Sequence, residues 1–254
     1  MARTKRRFGR RIFFLCIFLY VASFGVYYLN DYFSRPLFIR YKEFGIDLPR
    51  GYNIHGIDVS RWQKHIEWSE VKDMYVDDVQ IKFAIIKATE GTDLTDERFF
   101  KNMEDAKNAG LHRGAYHFFN PARSGRLQAD HYLARVHLKE GDIPPVLDVE
   151  VENGATAEQI RTRVKEWLDI VEKKYKVKPI IYSNIHFYNR YLSGEFDDYP
   201  LWIAHYLQKE RPRIQRSWII WQHSDGGHVN GIEPVVDFNV FNGDSAAFRQ
   251  MLLK

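Results

Sequence analysis

Hydrophobic and polar positions change their period repeatedly along the chain after residue 52. Short apolar runs of strand length alternate with segments whose apolar residues recur at the three-to-four-residue spacing of a helix. The predicted strands are residues 54–59, 83–87, 114–119, 146–150, 179–183, 201–205, 218–222 and 235–240. The predicted helices are residues 68–75, 97–109, 126–138 and 157–175, with room for a short one over residues 185–192. Because strands that alternate with helices form parallel sheets with right-handed crossovers, this order predicts an α/β fold whose eight strands close into a barrel.

The last predicted strands lack helices between them. Only short or Gly-rich segments, such as residues 224–231, separate the strands that follow residue 200. We therefore expect the final strands to be joined by hairpins and to run partly antiparallel, because a parallel connection needs a longer crossover.

The N-terminal residues differ in character from the rest of the chain. Residues 1–11 form a basic tail, and residues 12–29 are uncharged and largely apolar. An apolar stretch with cations on its N-terminal side is typical of a transmembrane anchor whose basic end stays in the cytoplasm. The alternative is a cleaved signal peptide, for which residues 21–23 offer a weak cleavage site. Residues 30–52 are then a juxtamembrane linker, and residues 53–254 form a folded domain outside the cytoplasm, in a periplasm or at a cell surface.

The charge distribution argues against nucleic-acid binding. The formal net charge of +4 comes from the six Arg and Lys residues of the tail, so the chain after residue 11 carries a net charge of −2. A nucleic-acid-binding protein needs a basic face on its folded domain. Cys16 is the only cysteine, so no intramolecular disulfide can form and the domain relies on its hydrophobic core.

Two acids, Asp148 and Glu150, lie two residues apart at the end of the fourth predicted strand. Side chains at positions i and i+2 of a strand point to the same face, so these carboxyl groups project side by side behind Val146. Two unpaired acids are costly in a core. At a strand mouth above a cleft, however, they can take different pKa values and share acid–base work.

Two further acids, Asp58 and Asp237, fall at the first and the eighth predicted strand. These strands are neighbours in a closed barrel, so the two carboxyl groups can approach each other. Reactive groups in such barrels gather at the C-terminal ends of the strands. We therefore expect all four acids around one mouth. The alternative for each acid is a helix cap or a solvated turn residue.

Aromatic side chains accompany the acids near the strand ends. Flat rings with polar edges suit the faces of sugar rings, although packing between barrel and helices is the alternative for each ring. These residues are Trp62, Tyr116, Phe118, Tyr182, Trp202, Tyr206 and Trp221. The sequence has no HExxH motif and no Cys/His cluster with metal-ligand spacing, so we expect no metal and no cofactor.

Several segments of the chain match one known family in order. They are residues 56–60 (GIDVS) with Trp62 and Gln63, 83–91 (FAIIKATEG), 109–111 (AGL) with 114–118 (GAYHF), 147–150 (LDVE), 181–183 (IYS), 201–206 (LWIAHY), Trp221 with Gln222, and 231–232 (GI) with 236–239 (VDFN). Over about residues 54–242 the chain thus resembles the glycoside hydrolase family 25 lysozymes, the N-acetylmuramidases of the cellosyl and Chalaropsis type. The resemblance implies a modified TIM-like (β/α)5(β)3 barrel, here in a bacterial member with an N-terminal transmembrane helix.

The resemblance also implies an activity. The family cleaves the β-1,4 bond between N-acetylmuramic acid and N-acetylglucosamine, so the glycan strands of peptidoglycan are the expected partner. Its four acids correspond to Asp58, Asp148, Glu150 and Asp237. We predict Glu150 as the general acid, with a pKa raised by the charge of Asp148. The reaction is expected to retain configuration, with either the substrate's 2-acetamido group or an Asp carboxylate as the nucleophile.

The remaining expectations concern binding. By the same resemblance, Tyr116, Tyr182, Trp202 and Gln222 are expected to contact the substrate. We further expect a monomer, attached to a membrane through its N-terminal segment, with no nucleic-acid partner.

Two other functions fit part of the pattern. A chitinase-like glycosidase also ends its fourth strand in Asp-x-Glu, but it carries another Asp where this chain has Val146. It also has a Ser-x-Gly-Gly strand, whereas the one Ser-x-Gly-Gly sequence here, residues 224–227, falls in a predicted Gly-rich loop. A non-catalytic, membrane-tethered peptidoglycan-binding module would keep the fold and lose a cleft acid, whereas all four acids are present here.

Overall fold

The computed structural model describes residues 17–29, 38–208 and 210–254, and the chain divides into two compact units, Met1–Leu37 and Phe38–Lys254. In the first unit, residues 17–29 form helix α1, with largely exposed apolar side chains. The predicted basic tail, residues 12–16 of the predicted anchor and residues 30–37 of the predicted linker lie outside the described residues. Within the described ranges, no helix combines the length and hydropathy needed to cross a membrane.

The second unit contains twelve strands, of which eight close into a barrel. The strands are β1 Phe38–Tyr41, β2 Ile46–Pro49, β3 His55–Val59, β4 Tyr75–Val76, β5 Val79–Glu90, β6 Leu94–Thr95, β7 His112–Phe118, β8 Val146–Asp148, β9 Ile180–Asn184, β10 Leu201–Ala204, β11 Ile220–Val229 and β12 Ile232–Phe241. The barrel order is β3-β5-β7-β8-β9-β10-β11-β12, and β12 returns to β3. Neighbours from β3 to β11 are parallel, whereas β12 runs antiparallel to both β11 and β3. The predicted α/β barrel of eight strands is confirmed. Only β11 and β12 form one of the hairpins expected among the final strands, because β9, β10 and β11 run parallel and the 15 residues between β10 and β11 are enough for a parallel connection.

The helices follow the first five barrel strands. They are α2 Trp68–Asp73, α3 Phe99–Asn108, α4 Gly125–Arg135, α5 Ala157–Tyr175 and the short α6 Ile185–Phe187, and helix α7 Ser245–Met251 follows the last strand. A 3-10 turn over Arg61–Gln63 precedes α2, and a π-helical turn over Tyr188–Leu192 continues α6. The chain therefore shows five β/α units and then three more strands, in agreement with the expected architecture.

Alternation along the strands divides the barrel into two apolar layers. Side chains such as Ile57 and Leu147 point outward and pack with the helices in one buried cluster. Phe83 and Ile220 belong to a second cluster, which includes Phe248 from α7. The Phe248 ring lies 5.6 Å from that of Phe83 and 5.1 Å from that of Phe241. The amino ends of the parallel strands are thereby sealed by apolar packing, and the opposite end remains for polar chemistry.

Several strand boundaries differ from the predicted ones, and two of these differences concern the last hairpin and the segment that carries Glu150. Residues 224–229, expected to belong to a Gly-rich loop, are the paired end of β11, and the turn to β12 is made at Gly231 with φ +83°. Glycine tolerates this left-handed conformation because it has no Cβ. The fourth barrel strand, β8, ends at Asp148, so Glu150 lies two residues beyond it. Val149 nevertheless stays attached to the barrel, because its backbone N–H donates to the Tyr182 carbonyl at 3.0 Å.

Part of the segment expected to be a linker is folded into the domain. Strands β1 and β2 pair as an antiparallel hairpin within residues 30–52, and the compact unit begins at Phe38. Phe44, in the turn of this hairpin, is fully buried, with its ring 5.2 Å from that of Phe238. The Phe44 carbonyl accepts a 2.9 Å hydrogen bond from the His228 backbone N–H. This packing against β11 and β12 cannot be predicted from the mixed charge of the segment.

Candidate active site

A cleft of about 300 Å³ opens at the C-terminal ends of the parallel strands. All four predicted acids and all four predicted substrate-binding residues line it. The complete lining is Asp58, Val59, Ser60, Trp62, Gln63, Lys87, Tyr116, Phe118, Asp148, Glu150, Tyr182, Trp202, Tyr206, Gln222 and Asp237. Residues from at least seven barrel strands or the segments that follow them therefore converge on one space.

Asp58 and Asp237 face each other across the junction of β3 and β12, where they are directly paired in the strand register. Burial, together with the charge of Asp237, raises the pKa of Asp58 well above its usual range. Burial also raises the pKa of Asp237 to about 6, while a hydrogen bond with Asp58 opposes the rise. Two adjacent acids in a dry site resist double ionisation, so this pair holds a proton at pH values where free carboxyl groups have lost theirs.

The Asp58 carboxylate is held by two side-chain amides. Asn239 Nδ2 donates to Asp58 Oδ2 at 2.7 Å, and Gln222 Nε2 donates to the same oxygen at 2.9 Å. Gln222 Oε1 in turn accepts from the Tyr182 and Tyr206 hydroxyls at 2.8 and 2.7 Å. Each amide thus uses its N–H for Asp58 and its oxygen for a neighbouring aromatic side chain.

Trp202 completes this network from the barrel interior. Its Nε1 donates to Asn239 Oδ1 at 2.7 Å, and its ring lies 4.5 Å from that of Tyr182. Both rings are buried, so they offer a sugar little free surface in this structure. The hydrogen-bond network that orients Asp58 therefore includes three of the residues predicted to contact the substrate, Tyr182, Trp202 and Gln222. Asn239 was not among the site residues predicted from the sequence, although its position two residues after Asp237 predicts that both point to the same face of β12.

Asp148 and Glu150 lie on another part of the wall. Burial raises the pKa of Asp148 well above its usual range, and the charge of Glu150 raises it further. Burial also raises the pKa of Glu150, while the Lys87 ammonium opposes the rise. The repulsion between the two carboxyl groups belongs to the pair, and the more deeply buried Asp148 shows the larger rise in pKa. Asp148 Oδ1 is buried without a hydrogen-bond partner among the described residues.

Lys87 brings a cation into the acidic cleft. Its Nζ lies 2.7 Å from Glu90 Oε2 and 4.7 Å from the centre of the Phe118 ring. The side chain is mostly buried, so its charge acts on Asp148 and Glu150 with little screening. Lys87 was not among the site residues predicted from the sequence, although alternation along β5 with Phe83 and Ile85 places it on the inner face.

Tyr116 is partly buried in the cleft, where loss of water and the nearby carboxylates raise its pKa well above the usual range. It therefore stays a neutral hydroxyl at physiological pH. Among the described residues, no group of three or more His, Cys, Asp and Glu side chains is arranged to hold a metal ion.

The sequence from residue 57 to residue 232 matches the family described as Glycosyl hydrolases family 25. The chain belongs to this family. The matched region of this family 25 chain includes Asp58, Asp148 and Glu150 and ends five residues before Asp237.

Relatives of this family 25 chain include proteins with and without an assigned activity. It is 47% identical to the uncharacterized protein YegX of Escherichia coli K12 over 216 residues, 85% of this chain and 78% of that protein. It is 37% identical to lysozyme M1 of Streptomyces globisporus over 208 residues, 76% of this chain and 69% of that protein. Among solved structures, a family 25 glycosyl hydrolase from Bacillus anthracis superimposes with a TM-score of 0.74 and 32% identity, covering 80% of this chain and 95% of that one.

Proposed function

We propose that this chain is a peptidoglycan hydrolase that cleaves the β-1,4 bond between N-acetylmuramic acid and N-acetylglucosamine. The observation that carries the proposal is the cleft at the strand ends, which brings together four carboxyl groups with raised pKa values. Glycoside hydrolysis needs a protonated carboxyl group beside an ionised one, and this cleft can supply both at neutral pH. Membership of family 25 and the likeness to lysozyme M1 support the same activity.

In this proposal Glu150 is the general acid. It is the less buried member of the Asp148–Glu150 pair, so its carboxyl group can reach a glycosidic oxygen in the cleft. Burial raises its pKa, which favours the protonated form that the first step requires. As the glycosidic C–O bond breaks, the Glu150 proton passes to the leaving oxygen.

Asp148 is assigned to the substrate's 2-acetamido group. Its buried Oδ1 is an acceptor without a partner among the described residues, and an acetamido N–H is a donor that would satisfy it. A hydrogen bond to the ionised form lowers a carboxyl pKa. Substrate binding would therefore favour the ionised form of Asp148. The proton that the two interacting carboxyl groups share would then stay on Glu150, which donates it to the leaving oxygen.

The nucleophile that follows from this arrangement is the acetamido carbonyl oxygen. It attacks the anomeric carbon while the glycosidic bond breaks, and water then opens the cyclic intermediate with Glu150 as the base. Two successive inversions give net retention. Direct attack by an Asp carboxylate is the alternative. Asp58, held by Gln222 and Asn239, and its neighbour Asp237 are assigned to positioning the sugar on the other wall.

The proposed activity is tested by incubating the chain with purified peptidoglycan and analysing the released fragments by mass spectrometry after borohydride reduction. We expect new reducing ends on N-acetylmuramic acid. Reduced N-acetylglucosamine at the ends would indicate cleavage of the other glycosidic bond. Binding of peptidoglycan without any new reducing ends would support a non-catalytic module instead.

We further propose that the N-terminal segment holds the domain at the outer face of a membrane. The proposal rests on the cationic residues 1–11 and the apolar residues 12–29, together with the exposed apolar side chains of α1. A cleaved signal peptide is the alternative, and N-terminal sequencing of the protein from cells distinguishes the two. Since one chain supplies the whole candidate site, we expect it to act as a monomer.

A further inference from the structure

Trp62 stands on the rim of the cleft with 70% of its surface exposed. Single exposed apolar residues are common on protein surfaces and need no explanation by themselves. Trp62 differs because it lines the same cleft as the four acids and because the chain around it is fixed by many contacts. An indole ring that is both exposed and held in place loses little conformational entropy when a ligand packs against it.

The turn that carries Trp62 is fixed at its start by a capping box. The Ser60 hydroxyl accepts from the Trp62 backbone N–H at 3.2 Å, and Gln63 Oε1 accepts from the Ser60 backbone N–H at 2.9 Å. The preceding peptide is tied to a different part of the domain, because Arg61 N–H donates to the buried Asp96 carboxylate at 2.9 Å.

The other end of the turn is attached to strand β12. Gln63 Nε2 donates to the Val235 carbonyl at 3.1 Å, so the turn is fixed to this part of β12. Lys64 follows with φ +58°, a conformation that costs energy for a residue other than glycine. Strained backbone that the surrounding contacts maintain is often found at functional sites.

The position of the turn relative to the four acids indicates which part of a bound glycan strand the Trp62 ring would contact. Trp62 follows β3, and Val235 precedes Asp237 by two residues on the neighbouring β12. In the barrel order, β8 is separated from β3 by β5 and β7, and from β12 by β9, β10 and β11. The Trp62 rim therefore faces the Asp148–Glu150 wall from across the mouth. A glycan strand whose bond is cleaved at Glu150 would pass over Trp62 with a sugar that is not itself cleaved.

We propose that Trp62 is a stacking platform for an uncleaved sugar residue of the glycan strand, and this inference rests on the proposed function. A pyranose ring presents apolar C–H groups on its face, which pack on the indole ring, while its hydroxyl groups stay in water. The Arg61 guanidinium lies over the Trp62 ring at 5.3 Å from its centre and supports the ring's orientation. The platform sets affinity for the strand and leaves bond cleavage to the acids.

The experiment measures binding separately from catalysis. Soluble oligosaccharides of alternating N-acetylglucosamine and N-acetylmuramic acid are prepared from peptidoglycan freed of its stem peptides. Their affinity is measured by calorimetry on the Glu150→Gln chain with and without Trp62→Ala. We expect Trp62→Ala to weaken binding of the hexasaccharide about tenfold, and Trp62→Phe to recover part of that loss. In the otherwise unaltered chain, Trp62→Ala should raise KM by a similar factor and change kcat much less.

Tyr75→Ala is the matched control, since Tyr75 is 64% exposed and does not line the cleft. Equal affinities of the Trp62→Ala and Tyr75→Ala chains would overturn the proposal, and so would a fall in kcat at constant KM. Absence of any glycan binding to the Glu150→Gln chain would overturn it as well. If the unaltered chain releases no reducing ends while the Trp62 effect on binding persists, the proposed hydrolysis fails and the platform stands.

Discussion

The Glu150→Gln chain is expected to release reducing ends from purified peptidoglycan about 10²–10⁴ times more slowly than the unaltered chain. Glutamine has nearly the shape of glutamate and cannot give a proton to the leaving oxygen. The change also removes a partly buried carboxyl group whose pKa is raised by burial, so it should not destabilise the fold. Initial rates of reducing-end release, measured beside a thermal melt, separate a chemical loss from unfolding.

Glu152→Gln is the matched control for this variant. Glu152 lies two residues further along the same segment, is exposed and forms a long 3.7 Å ion pair with Arg190. Loss of an exposed ion pair changes stability little, so this chain should keep its activity. Near-normal hydrolysis by the Glu150→Gln chain would rule out Glu150 as the general acid.

The Asp148→Asn chain should hydrolyse peptidoglycan about 10²–10³ times more slowly than the unaltered chain and should be more stable at pH 7. The rate falls because a neutral amide cannot stabilise the polarised acetamido group as a carboxylate does. Stability rises because Asp148 is a buried acid whose pKa in the folded state lies well above its ordinary value of 3.8. Between these two pKa values the folded state binds more protons than the unfolded state, so the aspartate's contribution to stability decreases as the pH rises through that interval.

The pH dependence of the unfolding free energy tests whether the stability gain of the Asp148→Asn chain comes from the burial of Asp148. The difference in unfolding free energy between the Asp148→Asn chain and the unaltered chain should shrink as the pH falls and vanish below 3.8, because Asp148 is then protonated in both the folded and the unfolded state. Asp130→Asn, an exposed change on α4, should show neither the rate loss nor the pH-dependent gain. An Asp148→Asn chain that is less stable at pH 7 would contradict the argument from burial, and full activity would contradict the assignment to the acetamido group.

The outline of the barrel could be predicted from local periodicity. Each strand or helix pattern can be recognised within a segment of about 5–20 residues. The structure has barrel strands at all eight predicted positions. The hairpin of β1 and β2 was missed because it packs through contacts with residues almost 200 positions away, such as Phe44 against Phe238. Helix α7 was also not predicted; its Phe248 packs against Phe83 and Phe241 of distant strands.

The sequence by itself determined which acids share a face and which strands carry them. Spacing of two along a strand places Asp148 and Glu150 together, and closure of the barrel places Asp58 beside Asp237. The tertiary structure alone decided how these groups are tuned. The amides that hold Asp58 come from residues 164 and 181 positions away, and the dry surroundings that raise the pKa of Asp148 are assembled from several strands. Side-chain direction depends on local backbone geometry, whereas burial and nearby charge depend on every element that packs around a group. The pKa values of the four cleft acids are therefore set only when the barrel is folded.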